Sequence, residues 1–127
     1  DGELKAGPVI PLIDQAVAIE PDEVKNAGSL NVTSLTDTQL ALNGEIFKVF
    51  ETTRSYKASL LVQAMRKAEM DGNTALRDSL KAEADAAKAK FQELSDIVKK
   101  MQAEVEARAA AKEEAEKKNA NSNANKK

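Results

Sequence analysis

The chain of 127 residues contains no cysteine, no histidine and no tryptophan. Its aromatic residues are Phe47, Phe50, Phe91 and Tyr56 alone, 3% of the sequence. These absences remove whole chemistries. A His/Cys zinc site, a Ser-His-Asp or Cys-His nucleophile, a thiol redox pair and a disulfide framework all need residues the chain does not have. No cofactor is expected. Long hydrophobic runs are missing too: the apolar, uncharged stretch 6–13 of the N-terminal part falls far short of the roughly 20 residues that span a bilayer. Charge of one sign is also lacking, since 19 basic residues meet 21 acidic ones. That balance disfavours nucleic acid as a partner, because phosphate binding draws on a basic excess.

Proline is confined to one end. Pro8, Pro11 and Pro21 are the only three, and beyond Leu35 only Gly44 and Gly72 interrupt a sequence rich in Ala, Glu, Lys, Leu and Gln. Proline removes a backbone donor and clashes with the preceding turn, so its absence permits long helices. The expected fold is all-α: a long antiparallel helical hairpin, coiled-coil-like, with an irregular or short-helical N-terminal arm and a disordered C-terminal tail. The arm is 1–35, the hairpin 36–118 (helices of about 36–70 and 74–118, turn at 71–73), and the polar tail 119–127.

Local signals set these limits. Thr36 followed by Gln39 matches a capping box, in which each side chain satisfies the other's backbone N–H. Ser34 with Asp37 is an alternative start. Asp71-Gly72-Asn73 supplies a stop, with glycine free to adopt the left-handed conformation and Asn73 able to cap the next helix. In the arm, Pro11 can open two helical turns and Pro21 a short helix that Gly28 closes. The Asn- and Lys-rich tail has nothing to bury, hence the expected disorder.

The strongest pattern is a seam. On the second helix Leu76, Leu80, Ala84, Ala87, Phe91, Leu94, Val98, Met101 and Val105 recur at steps of three and four, the period of two helices packed along their length. On the first helix Leu42, Ile46, Phe50, Thr53, Tyr56 (or Lys57), Leu60, Ala64 and Ala68 recur in the same way. Folding the chain at Gly72 brings together positions whose numbers sum to about 144, so that small residues face large ones, as an interdigitating core prefers. Leu60 then faces Ala84, and Ile46 faces Val98.

Apolar residues off this seam need cover of their own. They are Leu40, Phe47, Leu61, Val62 and Met65 on the first helix and Ile97 on the second. The arm adds Val9, Ile10, Leu12, Ile13, Val17 and Ile19, too many for a free tail. Two arrangements would cover them: the arm packed on its own hairpin, or a second copy in a homo-oligomer. Of these, Val9, Ile10, Leu12, Ile13, Val17, Ile19, Phe47, Leu61 and Met65 are the candidate partner-binding residues.

Other motifs carry little. Asp71-Gly-Asn73 opens like a calcium loop, but Ala75, Leu76 and Ala82 stand where ligands and glycine are needed. Carboxylates such as Glu45, Glu69 and Asp85 lie off the seam, where solvated charge explains them. Basic residues around the turn, from Arg66 to Lys90, are interleaved with acids, a pattern of soluble surfaces. Asn31-Val-Thr33 has the form of a glycosylation sequon. No catalytic, metal-ligating or cofactor-binding set can be assembled, and an enzyme is not expected.

The polar-turn hairpin resembles small secretion-apparatus subunits and phage scaffolding proteins. The turn Asp71-Gly-Asn-Thr-Ala-Leu76 is similar to that of type III secretion needle subunits, while the Asn/Lys tail departs from their apolar C-terminus. The resemblance implies a protein whose partners are proteins, itself or others. An alternative is an exported effector or surface-acting amphipathic protein whose arm engages a host protein or membrane. The chain starts at Asp1, as a processed or exported protein or a truncated one would, and contains no targeting segment. It is expected to be soluble, with its compartment open.

Overall fold

A computed structural model describes residues 11–126, and Val9 and Ile10 of the candidate partner-binding set lie outside them. The chain is helical over 11–18 (α1) and Asp22–Lys25 (α2), makes single 3-10 turns at Ala27–Ser29 and Val32–Ser34, and continues as Asp37–Met70 (α3) and Thr74–Ala124 (α4). No strand occurs among the described residues. α3 and α4 pack against each other as a helical hairpin, and the segment from Glu20 to Leu35 lies along it.

Each end of α3 is closed by its own sequence. Thr36 Oγ1 accepts from the Gln39 N–H at 3.1 Å while the Gln39 side chain accepts from the Thr36 N–H at 2.9 Å, completing the capping box. At the other end Gly72 has φ of 74°, a conformation that costs glycine nothing. The Gly72 N–H donates to Glu69 O and the Asn73 N–H to Ala68 O, a Schellman closure that satisfies two orphan carbonyls. Asn73 then accepts the Leu76 N–H to start α4. One three-residue turn ends one helix and caps the next.

The expected register holds, but the expected face of α3 does not. Arg108 pairs with Asp37 and Arg54 with the Lys90 carbonyl, so facing residue numbers sum to about 145. The buried stripe of α3 is Leu40, Phe47, Arg54, Ala58, Leu61 and Ala68. Leu42 and Ile46, expected in the seam, are 61% and 41% exposed; Phe50, Leu60 and Ala64 are half-buried. The face is turned by about one residue, or 100°. The reason lies at position 54. A charged residue interrupts the true core stripe, whereas the neighbouring stripe reads as unbroken.

On α4 the seam stands closer to its expected place. Ala84, Ala87, Leu94, Val98 and Met101 are buried, Leu80 and Phe91 half-buried, and Leu76 exposed. Two apolar clusters result. Near the turn, Ala58 and Leu61 meet Ala84 and Ala87, with Leu80 and Val62 at the edge. Toward the open end, Leu40 and Phe47 meet Leu94, Ile97, Val98 and Met101. Val24, Ala27 and Val32 complete the second cluster, so this part of the arm packs on its own hairpin.

The C-terminal expectation is also corrected. α4 does not stop near Lys118 but runs to Ala124, 51 residues or about 77 Å. Extending an existing helix fixes one residue per hydrogen bond, so a polar sequence without proline or glycine continues it cheaply. Pairs Glu113–Lys117 and Glu114–Lys118 support this stretch, each by a few tenths of a kcal/mol.

The phase of α3 has a direct mutational consequence. Leu61→Ala removes a buried side chain and should cost on the order of 2–5 kcal/mol, whereas Leu42→Gln should stay within about 0.5 kcal/mol of wild type. Thermal melting followed by circular dichroism reads both. A larger loss for Leu42→Gln than for Leu61→Ala would mean that the outer stripe, not the Phe47–Leu61 stripe, faces α4.

Candidate functional site

A buried ion pair lies at the middle of the hairpin. Arg54 and Glu20 are 6% and 5% exposed. Arg54 Nε donates to Glu20 Oε1 at 2.9 Å and Nη2 to Glu20 Oε2 at 2.8 Å, a bidentate pairing of guanidinium and carboxylate. Its remaining donors reach the backbone: Nη1 donates to the Lys90 carbonyl at 2.8 Å and Nη2 to the Val24 carbonyl at 3.2 Å. One side chain of α3 thus holds the arm at two points and α4 at a third. Among the described residues, no buried side-chain nitrogen or oxygen lacks a hydrogen-bond partner. The pair acts structurally here, since every strong contact it makes is internal.

A second clamp closes the open end. Asp37, in the first turn of α3, accepts from Arg108 at 3.0 Å and from Lys112 at 2.8 Å. Arg108 also donates to Glu104 Oε1 and to the Thr33 carbonyl. The hydrogen bond from Lys112, then that from Arg108, holds the Asp37 carboxyl below its ordinary value of 3.8. This cluster is open to water, so its strength is that of a screened surface network.

Beside that clamp, between α3 and α4, lies an open groove of about 440 Å³ with a largely apolar floor and a charged rim that includes Glu45, Lys48 and Lys112. Leu40, Ala41, Val98, Met101 and Val105 form its walls. Gly44 lies in it with nothing within 4 Å of where a Cβ would stand. Gly44 has no positive φ and sits inside a helix, where glycine costs about 1 kcal/mol relative to alanine. Neither backbone conformation nor internal crowding accounts for it.

The larger uncovered feature is on the outside of α3. Leu42, Ile46, Val49 and Tyr56 are all exposed, Val49 by 62% and Tyr56 by 60%. With Thr53 and Leu60, both half-buried, they follow steps of four and three along one helix face. All but Val49 belong to the intramolecular seam expected from the sequence, which has Phe50 in its place; Phe50 is half-buried against the core, while Leu42, Ile46, Val49 and Tyr56 face solvent.

The candidate partner-binding residues are scattered by the fold. Phe47 and Leu61 are buried inside the hairpin and unavailable to a partner, because Leu94 and Ile97 cover the first and Ala84 and Ala87 the second. Met65 is half-buried. In α1, Ile13 and Val17 are half-buried while Leu12 and Ile19 are exposed. α1 is tethered by the Asp14–Lys57 ion pair at 2.8 Å. Sequence reasoning missed Arg54, Glu20 and the Asp37 cluster; a lone charge within an apolar period was the available signal for Arg54.

Among the described residues no group of His, Cys, Asp and Glu is placed to hold a metal ion, and no helix is long and apolar enough to cross a membrane. Comparison with protein-family models, with curated proteins and with solved structures found no match to the chain.

Removing one partner of the buried pair leaves an uncompensated charge. Arg54→Met should therefore lose about 3–5 kcal/mol, while the double variant Arg54→Met, Glu20→Met should recover most or all of it. Chemical denaturation of the four proteins of that cycle measures both numbers. For Asp37, a lowered folded-state pKa means stabilisation that is present above its ordinary value and lost as the pH falls through the lowered one. Melting temperatures of wild type and Asp37→Asn should differ at about pH 7 and converge toward about pH 2. The difference should also shrink with added salt.

Proposed function

We propose that the chain is a non-enzymatic helical protein that acts by binding protein, as a structural, scaffolding or secretion-associated component that assembles with itself or a partner. The observation that supports this reading best is the outer stripe of α3. Four large apolar side chains at coiled-coil spacing stand in water along a well-capped 34-residue helix. Scattered exposed apolar residues are ordinary on protein surfaces, but a continuous stripe rimmed by polar residues marks an interaction face. The groove beside Gly44 adds a place where another backbone could approach closely, the use to which glycine is suited. A chain of 127 residues with no histidine and no cysteine offers few of the groups from which active sites are usually built.

A second reading is favoured by α1, where Leu12 and Ile19 are exposed on a short helix. There the protein is an exported effector or surface-acting protein, and the arm engages a heterologous protein or membrane. Size-exclusion chromatography with light scattering over a concentration series separates the two. A defined oligomer that grows with concentration supports assembly. A monomer at every concentration turns the reading to the arm.

A further inference from the structure

We infer that the outer stripe of α3 pairs with the same stripe of a second copy, antiparallel, about a two-fold axis near Glu51. This rests on the reading that the protein works by assembly, and it names the face, the occupant and the direction. The stripe residues Leu42, Ile46, Val49, Thr53, Tyr56 and Leu60 are spaced four, three, four, three and four apart. That order is the same read from either end. An antiparallel copy centred near Glu51 therefore brings Leu42 opposite Leu60 of the second copy, Ile46 opposite Tyr56, and Val49 opposite Thr53. Each layer joins a residue from one half of the stripe to one from the other, as in an isologous two-fold interface.

The polar members of the stripe permit burial. Thr53 Oγ1 donates to the Val49 carbonyl at 3.0 Å and Thr52 Oγ1 to the Lys48 carbonyl at 3.0 Å. Both hydroxyl donors are already satisfied within the helix, so covering them orphans nothing and leaves their methyl groups for packing. Tyr56 can keep its hydroxyl at the rim, in water. The flanking positions carry no like-charge conflict. Thr52 meets Thr52 near the axis, Phe50 on the other flank is half-buried against its own core, and Asn43 lies near Lys57 and Glu45 near Ser59 of the second copy. Like charges directly opposed would have argued against this direction.

The size of the contact sets its strength. From Leu42 to Leu60 the helix covers about 27 Å. Four largely exposed side chains per copy, with their flanks, give an interface on the order of 1,000 Å², at the lower limit for a specific pair. The dimer should be weak, dissociating at about 1–100 μM.

Because the chain has no cysteine, an introduced one is a unique probe. Full-length Leu42→Cys and Leu60→Cys are treated with a short bis-maleimide, alone and mixed in equal amounts at a concentration where wild type is dimeric by light scattering. The mixture should cross-link, with peptide mapping joining position 42 to position 60. Each single variant should cross-link little, since like positions in the antiparallel pair are separated by about 27 Å. Val49→Glu should raise the dissociation constant at least about tenfold with its helical circular dichroism unchanged. Strong self-linking of Leu42→Cys would overturn the antiparallel arrangement. An oligomer unaffected by Val49→Glu would overturn the face while leaving assembly standing. Wild type that stays monomeric to about 500 μM would overturn self-pairing and assembly together.

Discussion

The Arg54 guanidinium, buried and bound on three sides, is the constraint around which the molecule is arranged. It joins Glu20 and Val24 of the arm to Lys90 of α4 through a residue in the middle of α3. A charge removed from water is tolerated only with such complete pairing. Because the partners come from three segments distant in sequence, the pair specifies their relative position more sharply than apolar packing does. Alanine against leucine can slide by a turn at modest cost, whereas a bidentate pairing cannot. The apolar cluster of Val24, Ala27, Phe47, Leu94 and Ile97 lies toward the open end from it, and that of Leu61, Ala84 and Ala87 toward the turn.

This interaction also decided what the sequence could reveal. The hairpin, its turn at Gly72, the capping box at Thr36 and the antiparallel register were all legible, because each rests on local chemistry or on period and length. The face of α3 was not. Two stripes one residue apart share the three-four period, and the core stripe contains an arginine. Its burial depends on Glu20, more than thirty residues away, and no periodicity records such a partnership. The end of α4 was misread for the opposite reason. A polar composition says nothing is buried there, which is correct, but helix continuation needs only compatible residues, not burial.

A helix of 34 residues with two apolar stripes has more adhesive surface than one hairpin can use. One stripe is consumed by α4 and the arm; the other is left at the surface with Leu42, Ile46, Val49 and Tyr56. Had the outer stripe been packed inside, Phe47 and Leu61 would be the exposed residues. The buried arginine breaks that near-symmetry. The same side chain that obscures the core from sequence reading determines which face of α3 is left at the surface.

The length of α4 carries a separate consequence. Its contacts with the rest of the chain reach Lys112, which bridges to Asp37, yet the helix continues to Ala124. Those last turns are held by ion pairs along their own surface, Glu113 with Lys117 and Glu114 with Lys118. Such a segment opens by unzipping from its tip, each turn independent of the core, so its local free energy declines toward the end while the hairpin keeps its own. Thermodynamically the molecule is a cooperative block with a non-cooperative rod attached. Damage or modification of the rod leaves the block's transition where it was.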